Sequence, residues 1–395
     1  MWEIIFWLSL ATIVYHYCGY PLVLVALNRL IKRPPVQTAE ITPSVSLVIS
    51  AYNEEEVIQK KVENALAIDY PQDQFEIVVA SDGSTDQTCA IVQEYASRGV
   101  KLHHSPERRG KNGALNAVAQ HVRGDILVFT DANGMFQPDA IRELVQPFAD
   151  PRVGCVCGEL IYRNPNENLV AEGYNHYWRY DQWLKRLETH LLSLLGANGS
   201  IFAVRRELNE WLDPRISNDM VLPIKVAGRG YAVIYRPEAV SIESGSAGEQ
   251  EELRRRSRIV ARGIMGTLFL LPELLRRSKV LLLFQLFSRK VLRYIFPLLL
   301  IALLISNCFL SGPFYRLTLL AQVIPYALAV LGHYLAQSGM KVRLLSLPYY
   351  FCVGNLAALK GLFKVLSFQE LATWEGFDRR YDLALGDQAG GKRRD

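Results

Sequence analysis

The stretch VSLVIS at Val45–Ser50 is an apolar run of strand length, and the polar residues AYNEEE follow it directly at positions 51–56. Two further runs repeat this arrangement: EIVVA at Glu76–Ala80 is followed by SDGSTD, and DILVFT at Asp125–Thr130 is followed by DAN. Helical patterns separate the runs. Continuous apolar strands that alternate with helices are typical of a mostly parallel sheet covered on both faces. The sequence therefore predicts an α/β domain.

The polar segments after the three strands predict a binding site. In open α/β sheets, ligands bind outside the carboxyl ends of the strands. One segment of Asp, Gly, Asn and Ser is ordinary turn chemistry, but three at one edge favour a site. No strand is followed by G-x-G-x-x-G, which disfavours a dinucleotide dehydrogenase. The segment 386–392 imitates a P-loop, but Arg393 replaces the required Ser or Thr and no strand precedes it.

Three uncharged segments are long enough to cross a membrane as helices. The first, Ile4–Asn28, is 25 residues long, and at about 1.5 Å per residue it spans a hydrocarbon core about 30 Å thick. The others are Tyr294–Tyr315 and Leu317–Met340. Basic residues begin at Arg29, directly after the first segment, which predicts an uncleaved anchor whose N-terminus lies outside the cell.

Two shorter apolar segments lie near the C-terminal spans. Leu344–Leu359 is followed by Lys360 and Lys364, which leaves open a short span or an amphipathic helix in the membrane interface. The side of the membrane on which the C-terminus lies is therefore open as well. Val280–Phe287 has basic residues on both sides, and this pattern favours an interfacial helix over a span.

The net charge of +5 is concentrated in one band of the chain. Between Arg254 and Arg293 there are eleven Lys or Arg residues and one acid, Glu273, so the remainder is net acidic. This distribution argues against a nucleic-acid binder and indicates a basic surface at a membrane. The six cysteines form no C-x-x-C pair, which argues against a disulfide framework or a zinc site.

These features divide the chain into five expected parts. They are a transmembrane anchor at 1–33, a cytoplasmic catalytic domain at 40–250, basic interfacial helices at 251–293, a C-terminal transmembrane region at 294–366 and a polar tail at 367–395. Basic clusters flank the globular part at both ends, so the positive-inside rule places it at the cytoplasmic face of the cell membrane.

In their order and spacing, the motifs resemble those of the family 2 glycosyltransferases, which have the GT-A nucleotide-sugar fold and relatives among membrane-bound bacterial polysaccharide synthases. The resemblance runs from about Ser44 to Gly263. It is carried by Tyr52-Asn53-Glu54, SDGSTD at 81–86, GKNGALN at 110–116, FTDAN at 129–133, Asn218-Asp219 and Arg255-x-x-Arg258. It implies a GT-A domain with membrane helices at both ends.

The resemblance implies a nucleotide-sugar site at the edge of the sheet. Tyr52, Glu54 and Asp82 would hold the base and ribose of the nucleotide, with Lys111 near that pocket. Asp131 would bind a divalent metal, Mg²⁺ or Mn²⁺, that bridges the diphosphate.

The familiar D-x-D motif of the family reads D-A-N in this chain. Asn133 therefore supplies a neutral oxygen where the family has a second carboxylate. This departure leaves the identity of the metal open.

Asp219 resembles the general base of the inverting enzymes, which takes the proton of the acceptor hydroxyl as its oxygen attacks the anomeric carbon. A structural interpretation is also available, because Ser217, Asn218 and Asp219 are all good N-cap residues ahead of a helix. The two roles are compatible, since a helix N-terminus keeps a carboxylate ionised.

The resemblance also assigns an acceptor side. Arg255 and Arg258 would clamp the diphosphate and the acceptor near the membrane, and Asn198 lies in a segment similar to the family's acceptor loop. Attraction of a basic interfacial helix to anionic lipid is the alternative role of the arginines. Processive synthases usually have Trp after this motif, whereas this chain has Ile259.

The leading hypothesis is a membrane-anchored inverting glycosyltransferase that moves a sugar from a UDP-linked donor to a lipid or glycan at the cytoplasmic face. Its partners would be the donor, the acceptor and membrane lipids, with no nucleic acid. A processive synthase that extrudes its product is the alternative in this class. A transporter with a nucleotide-binding regulatory domain is disfavoured because the spans contain almost no ionisable residues besides His16 and His333. The motifs leave open the sugar, the acceptor and the oligomeric state.

Overall fold

An eight-stranded sheet forms the centre of the globular part in the computed structural model, which describes residues 1–163, 169–244, 249–338, 340 and 342–367. Its strands are β1 Val45–Ala51, β2 Phe75–Asp82, β3 Val100–Ser105, β4 Ile126–Asp131, β5 Met135–Phe136, β6 Val153–Arg163, β7 Phe202–Arg205 and β8 Ala232–Ser244. Their order across the sheet is β3-β2-β1-β4-β7-β6-β8-β5.

The half of the sheet that contains β1 to β4 is parallel throughout. Strand β1 pairs with β2 and β4, and β2 pairs with β3, all in parallel register. The other half is mixed, because β7 runs antiparallel to β4 and β6, and β5 runs antiparallel to β8, whereas β6 and β8 are parallel. The predicted α/β fold with a mostly parallel sheet is confirmed.

Both faces of the sheet are covered. Every residue of β1 is buried, and its side chains alternate between two cores: Leu47 and Ile49 belong to one, and Val48 to the other. This alternation follows from the two-residue period of a strand. The helices of the globular part are α2 Ile58–Leu66, α3 Thr88–Glu94, α4 Lys111–Ala119, α5 Ala140–Val145, α6 Leu169–His190 and α7 Asn218–Gly228.

Helices also precede and follow the sheet domain. The first, α1, is continuous over Trp2–Leu30. After the sheet come α8 Glu249–Arg276, α9 Val280–Cys308, α10 Pro313–Gln337 and α11 Ser346–Leu366. Among the described residues, three helical stretches are long and apolar enough to cross a membrane: Trp2–Leu30, Val280–Cys308 and Pro313–Leu335.

The structure differs from the sequence-based expectation at Val280–Phe287. This segment is the beginning of α9, not a separate interfacial helix. Arg289 causes the difference, because its charge interrupts the apolar sequence but is paired with carboxylates of the globular part. Helix α11, for which the sequence left two possibilities, is not among the three stretches. The expected polar tail, with its P-loop-like segment, lies outside the described residues beyond Ser367.

Two π-helical turns face each other between α1 and α9, at Tyr15–Gly19 and Leu286–Val291. The hydroxyl groups of Tyr15 and Ser288 are 2.8 Å apart, and His16 Nδ1 is 3.0 Å from the main-chain oxygen of Ser288. Such turns are rare and occur frequently at functional sites.

The two ends of α1 lie in different surroundings. At its start, Trp2 stacks on Phe309, with ring centroids 4.5 Å apart. Near its other end, the Asn28 side chain donates a 3.0 Å hydrogen bond to the main-chain oxygen of Leu187 in α6. Helix α1 therefore runs from the turn between α9 and α10 to the globular domain.

Candidate active site

The loops after β1 and β2 are tied to each other. Asn53 has a left-handed backbone with φ 50°, and its Oδ1 accepts a 2.9 Å hydrogen bond from the Thr85 amide. The next amide, that of Glu54, donates to Thr88 Oγ1 at 2.8 Å. Asn is among the few residues that tolerate this backbone conformation, so the Y-N-E motif holds the two loops together.

Asp82 lies at the end of β2 and is buried. One of its oxygens accepts a 2.8 Å hydrogen bond from the Arg109 amide, and the other, Oδ2, is buried without a hydrogen-bond partner among the described residues. Burial raises the pKa of this carboxyl, although the nearby amides and the Arg108 guanidinium oppose the effect. A buried acceptor without a partner is costly unless a ligand supplies a donor.

Arg108 and Tyr52 form a flat surface beside Asp82. The guanidinium carbon of Arg108 lies 3.9 Å from the centre of the Tyr52 ring. Arg108 Nε and Nη2 are buried, and they too have no acceptor among the described residues. Together these side chains offer an aromatic ring, an open acceptor and open donors, which are groups that can recognise a nucleobase.

Asp131 ends β4 and is held by two neighbours. Lys111 forms an ion pair with its Oδ1, and Ser50 donates a 2.9 Å hydrogen bond to the same oxygen. Its other oxygen, Oδ2, points toward Gly199 and lies 3.6 Å from the position that a Cβ atom on Gly199 would occupy.

Asp219 reaches the same place from the first turn of α7. Its Oδ1 accepts a hydrogen bond from Ser217, and its Oδ2 lies 3.3 Å from the Cβ position of Gly199. Ser217 is the N-cap of the helix, but its side chain makes no capping bond. The carboxylates of Asp131 and Asp219 therefore face each other across Gly199, and the missing side chain leaves room for a ligand between them.

The arginines of α8 make two different sets of contacts. Arg255 contacts the Tyr162 hydroxyl and lies within 3.9 Å of Glu243 and 3.7 Å of Glu252. Arg262 donates to the main-chain oxygens of Pro214 and Ile216, at 2.9 and 2.8 Å.

Arg262 was not among the predicted site residues, but it lines the same cavity as Asp131 and Asp219. Burial lowers its pKa, and the negative charges of Asp219 and Asp131 act against this effect. Its four-residue spacing from Arg258 is the sequence signal for this position, since residues i and i+4 share a helix face.

Asn198 lies beside this site, and both ends of its amide are occupied. Its Oδ1 accepts from Lys185 Nζ at 2.9 Å, and its Nδ2 donates to the main-chain oxygen of Gly158 at 2.9 Å. In the same loop, the Ala197 amide donates to the main-chain oxygen of Asp219 at 2.6 Å. These bonds fix the position of the loop that carries Gly199.

Lys61 is a buried residue near the site that the sequence interpretation missed. Its Nζ donates to Thr130 Oγ1 at 3.2 Å and to the main-chain oxygen of Gly134, and it lies 4.1 Å above the Phe136 ring. Burial lowers its pKa to about 7, against the pull of Asp131 and Glu243. In the sequence, its burial is indicated by its position on the same helix face as the apolar residues Ile58 and Ala65.

A cavity of about 940 Å³ joins these groups to the membrane helices. The lining residues that were predicted as site residues are Lys111, Asp131, Asn133, Asn198, Asp219, Arg255 and Arg258. Tyr52, Glu54 and Asp82 do not belong to this lining and lie at the ends of β1 and β2.

The donor set around Asp131 fits a cation that takes part of its coordination from a substrate. No group of three or more His, Cys, Asp or Glu side chains suited to a metal occurs among the described residues. Mg²⁺, however, is usually held by one or two carboxylates together with phosphate oxygens and water. One carboxylate at Asp131, with the Asn133 amide beside it in the cavity lining, meets that requirement.

The mostly parallel sheet of eight strands is that of a GT-A type domain. Residues 46–212 match the family model described as Glycosyl transferase family 2. The chain thus carries a glycosyltransferase family 2 domain, as the motifs predicted.

Similar proteins include glycolipid and polysaccharide synthases. The chain is 32% identical over 206 residues to a beta-monoglucosyldiacylglycerol synthase of Synechocystis, which is 49% of this chain and 43% of that protein. It is 26% identical over 216 residues to a poly-beta-1,6-N-acetyl-D-glucosamine synthase of Staphylococcus aureus, which is 53% of this chain and 52% of that protein. The chain therefore spans about half the length of these relatives.

Among solved structures, the mannosyltransferase PcManGT from Pyrobaculum calidifontis, in complex with GDP-Man and Mn²⁺, has a similar fold. The TM-score is 0.68 at 22% identity, and the match covers 94% of this chain and 100% of that one. This similarity extends over the membrane helices as well as the sheet domain, and it concerns the fold.

Proposed function

We propose that the chain is a membrane-anchored inverting glycosyltransferase that transfers a sugar from a UDP-linked donor to a hydroxyl group of a lipid or glycan. The observation that carries this proposal is the pair of carboxylates, Asp131 and Asp219, that meet across Gly199 in a cavity reaching the membrane helices. Direct transfer of the sugar requires one carboxylate near the donor and another near the acceptor hydroxyl, and both must border the space in which the sugar lies.

The base pocket favours uracil over guanine. Uracil presents one N–H between two carbonyl groups, whereas guanine presents two neighbouring N–H donors. Asp82 has one open oxygen for the N–H, and Arg108 has open donors for a carbonyl. A site built for one donor leaves the second donor of guanine without a partner, which is a strong basis for discrimination.

The diphosphate would lie between the base pocket and Gly199. Asp131 and Asn133 would hold a divalent metal there, and that metal would stabilise the negative charge that develops on the leaving diphosphate. Lys111 and Arg262 place two positive charges next to Asp131 for the same purpose.

The reaction would be a single displacement at the anomeric carbon. Asp219 Oδ2 removes the proton of the acceptor hydroxyl while the hydroxyl oxygen forms a bond to that carbon. The bond from the carbon to the diphosphate oxygen breaks, and UDP leaves with the electron pair. Attack from the face opposite to the leaving group inverts the anomeric configuration.

The membrane helices support the expected location at the cytoplasmic face. Basic residues follow α1 at its globular end, which the positive-inside rule assigns to the cytoplasm. Trp2 and Phe309 would then lie at the outer end. On this basis we retain the domain boundaries of the sequence analysis as part of the proposal, except that the transmembrane region begins with α9 at Val280 and the basic interfacial part ends before it.

A processive synthase is the second candidate. The cavity favours it in one respect, because it continues from Asp219 to the membrane helices through which a product would pass. Ile259, which stands where processive synthases usually have Trp, argues against it. Counting the sugars added to each acceptor by mass spectrometry separates the two candidates.

The test of the proposal is Asp219→Asn in the purified full chain. Asparagine keeps the volume and the hydrogen bond to Ser217 but removes the base, so we expect transfer from a UDP-sugar to fall by about a hundredfold or more. UDP affinity, titrated in the presence of Mn²⁺, should stay within about twofold because Asp219 lies on the acceptor side of Gly199.

The matched control is Asp139→Asn, at the exposed N-cap of α5 and outside the cavity lining. This variant should leave transfer unchanged. Near-normal turnover of Asp219→Asn would reduce the residue to a structural role at the start of α7.

A further inference from the structure

The cavity changes character between Asp219 and the membrane helices. Charged residues surround Asp219, and the cavity lining as a whole has nine Lys or Arg residues against six Asp or Glu residues. Farther into the helices the walls become aromatic and apolar, with Tyr17, Phe296, Pro325, Leu347 and Phe351. A molecule that fills this cavity therefore has a polar, anionic end and an apolar end.

Lys290 is the cation at the junction of the two ends. It belongs to the π-helical turn of α9. Its Nζ and the main-chain oxygen of Asp219 each lie 3.6 Å from the Cβ position of Gly196, so the two atoms are no more than twice that distance apart. Among the described residues no carboxylate lies within ion-pair distance of Lys290, whereas Arg289 and Lys185 both have one.

The electrostatics of Asp181 show how strong the positive field is at this place. Burial alone would raise the pKa of Asp181, but the charges of Arg289, Lys185, Arg293 and Lys290 hold it below its usual range. Asp181 and Glu188 form their ion pairs with Arg289, and neither lies within ion-pair distance of Lys290. A half-buried ammonium group without a close counterion favours the binding of an anion.

The donor diphosphate does not account for this cation. The proposed diphosphate position is beside Asp131, where Lys111 and Arg262 already supply positive charge. Lys290 comes from a membrane helix and lies near Gly196, whereas Lys111 and Asp131 lie near Gly199. It therefore faces the acceptor.

We infer that the acceptor is a phosphate-bearing lipid whose attacking hydroxyl lies a few bonds from the phosphate. The phosphate would sit at Lys290, the hydroxyl at Asp219, and the hydrocarbon chains along the aromatic and apolar walls. This inference rests on the proposed function and narrows its acceptor. A phospholipid with a hydroxyl-bearing headgroup and a polyprenyl phosphate that carries a sugar both have this chemistry, whereas diacylglycerol lacks the phosphate.

The bonds that change are those of the proposed displacement. Asp219 takes the proton of the lipid hydroxyl, the hydroxyl oxygen binds the anomeric carbon, and UDP departs with the electron pair of the broken bond. The lipid phosphate keeps all of its bonds, since it serves only for recognition.

The experiment measures transfer of radiolabelled sugar from a panel of UDP-sugars by the full chain in phosphatidylcholine nanodiscs. The acceptor arms are phosphatidylglycerol, a polyprenyl phosphate with one sugar, diacylglycerol and water-soluble glycerol phosphate. We expect at least one of the two phosphate-bearing lipids to be glycosylated tenfold faster, or more, than diacylglycerol. The arm that is labelled identifies the source of the phosphate, and glycerol phosphate should react poorly because it lacks the apolar part.

Two matched variants test whether Lys290 binds the phosphate of the lipid acceptor. Lys290→Gln should raise the KM for the phosphate-bearing lipid by tenfold or more and leave the Kd of UDP unchanged, which also shows that the variant is folded. Arg276→Gln removes the same charge from an exposed position outside the cavity, and it should leave both constants unchanged.

Three results would overturn the inference: equal rates with diacylglycerol, weaker UDP binding in Lys290→Gln, or equal effects of the two variants. UDP binding together with transfer only to diacylglycerol would reject this inference and leave the proposed function standing. Absence of both UDP binding and transfer would reject both.

Discussion

Gly199 is important because it has no side chain. A Cβ atom at this residue would lie 3.3 Å from Asp219 Oδ2, 3.5 Å from Lys111 Nζ and 3.6 Å from Asp131 Oδ2. A methyl group would therefore occupy the space between the proposed base and the donor-side groups, where the reacting carbon must lie.

We expect Gly199→Ala to lower the transfer rate at least about tenfold, which corresponds to roughly 1.4 kcal/mol in the barrier. Its unfolding temperature should not change, because the neighbours of the new methyl are polar groups at contact distance. Gly228→Ala is the control, since only Leu274 approaches its Cβ position, at 3.4 Å. An active Gly199→Ala enzyme would show that the sugar does not pass between the two carboxylates.

Asp82 gives the proposed donor site a dependence on pH. In the proposed site, the open oxygen would accept the uracil N–H most strongly when the carboxyl is ionised, and burial raises the pKa of this carboxyl. Protonation thus competes with the nucleotide, and the Kd of UDP should increase as the pH falls through this raised pKa.

Because the phosphates of UDP titrate as well, the measurement compares wild type with Asp82→Asn between pH 4 and 7. The difference in binding free energy between the two should shrink toward low pH. A constant difference across that range would mean that the Asp82 carboxylate does not receive the base.

At the scale of the elements, buried ion pairs join α9 to α6. Arg289 lies 2.8 Å from Asp181 and 2.5 Å from Glu188, and Glu188 also accepts a 2.8 Å hydrogen bond from Tyr20 of α1. These contacts attach both membrane helices to the sheet domain.

Arg289→Met would remove the ion-pair partner of the buried Glu188 and leave Asp181 with Lys185 alone, and we expect it to lower the free energy of unfolding by about 3–5 kcal/mol. The control is Arg277→Met, whose exposed pair with Glu273 should contribute no more than about 1 kcal/mol. Thermal unfolding in detergent, followed by circular dichroism, compares the two. Equal losses would mean that the Arg289 pairs are screened by water.

How far the sequence predicts these elements depends on the range of the interactions. Strands β1, β2 and β4 were predicted with nearly the bounds that the structure shows, because a continuous apolar run is a local signal. The antiparallel strand β7, only four residues long, has no comparable pattern. The charge of Arg289 was interpreted as the edge of an interfacial helix, since its partners Asp181 and Glu188 lie about a hundred residues away.

For the site as well, local motifs were predictable from the sequence, and contacts between distant residues were not. Seven of the residues predicted from the family resemblance line the cavity. Arg108 and Lys290 were not predicted, because the residues near them, Tyr52 and the Gly196 loop, are distant in the chain.

At the scale of the whole molecule, the orientation in the membrane can be tested with two serines. Ser97 is exposed on the sheet domain, and Ser311 is exposed in the turn between α9 and α10. In a chain without its six cysteines, Ser311→Cys should react with a membrane-impermeant maleimide in intact cells. Ser97→Cys should react only after the membrane is permeabilised. The reverse pattern would place the catalytic domain outside.

The facing π-helical turns at Tyr15–Gly19 and Leu286–Val291 have a consequence for insertions and deletions. One residue of an α-helix accounts for about 100° of rotation. Removing a residue from the second turn would therefore rotate all of α9 beyond it by about a quarter of a circle relative to Val280–Gln285. Phe296 would leave the cavity wall, although no side chain had been altered. The wider turns thus set the rotation of one half of each helix relative to the other half. A change in length at these two places would therefore disrupt the chain more than most substitutions.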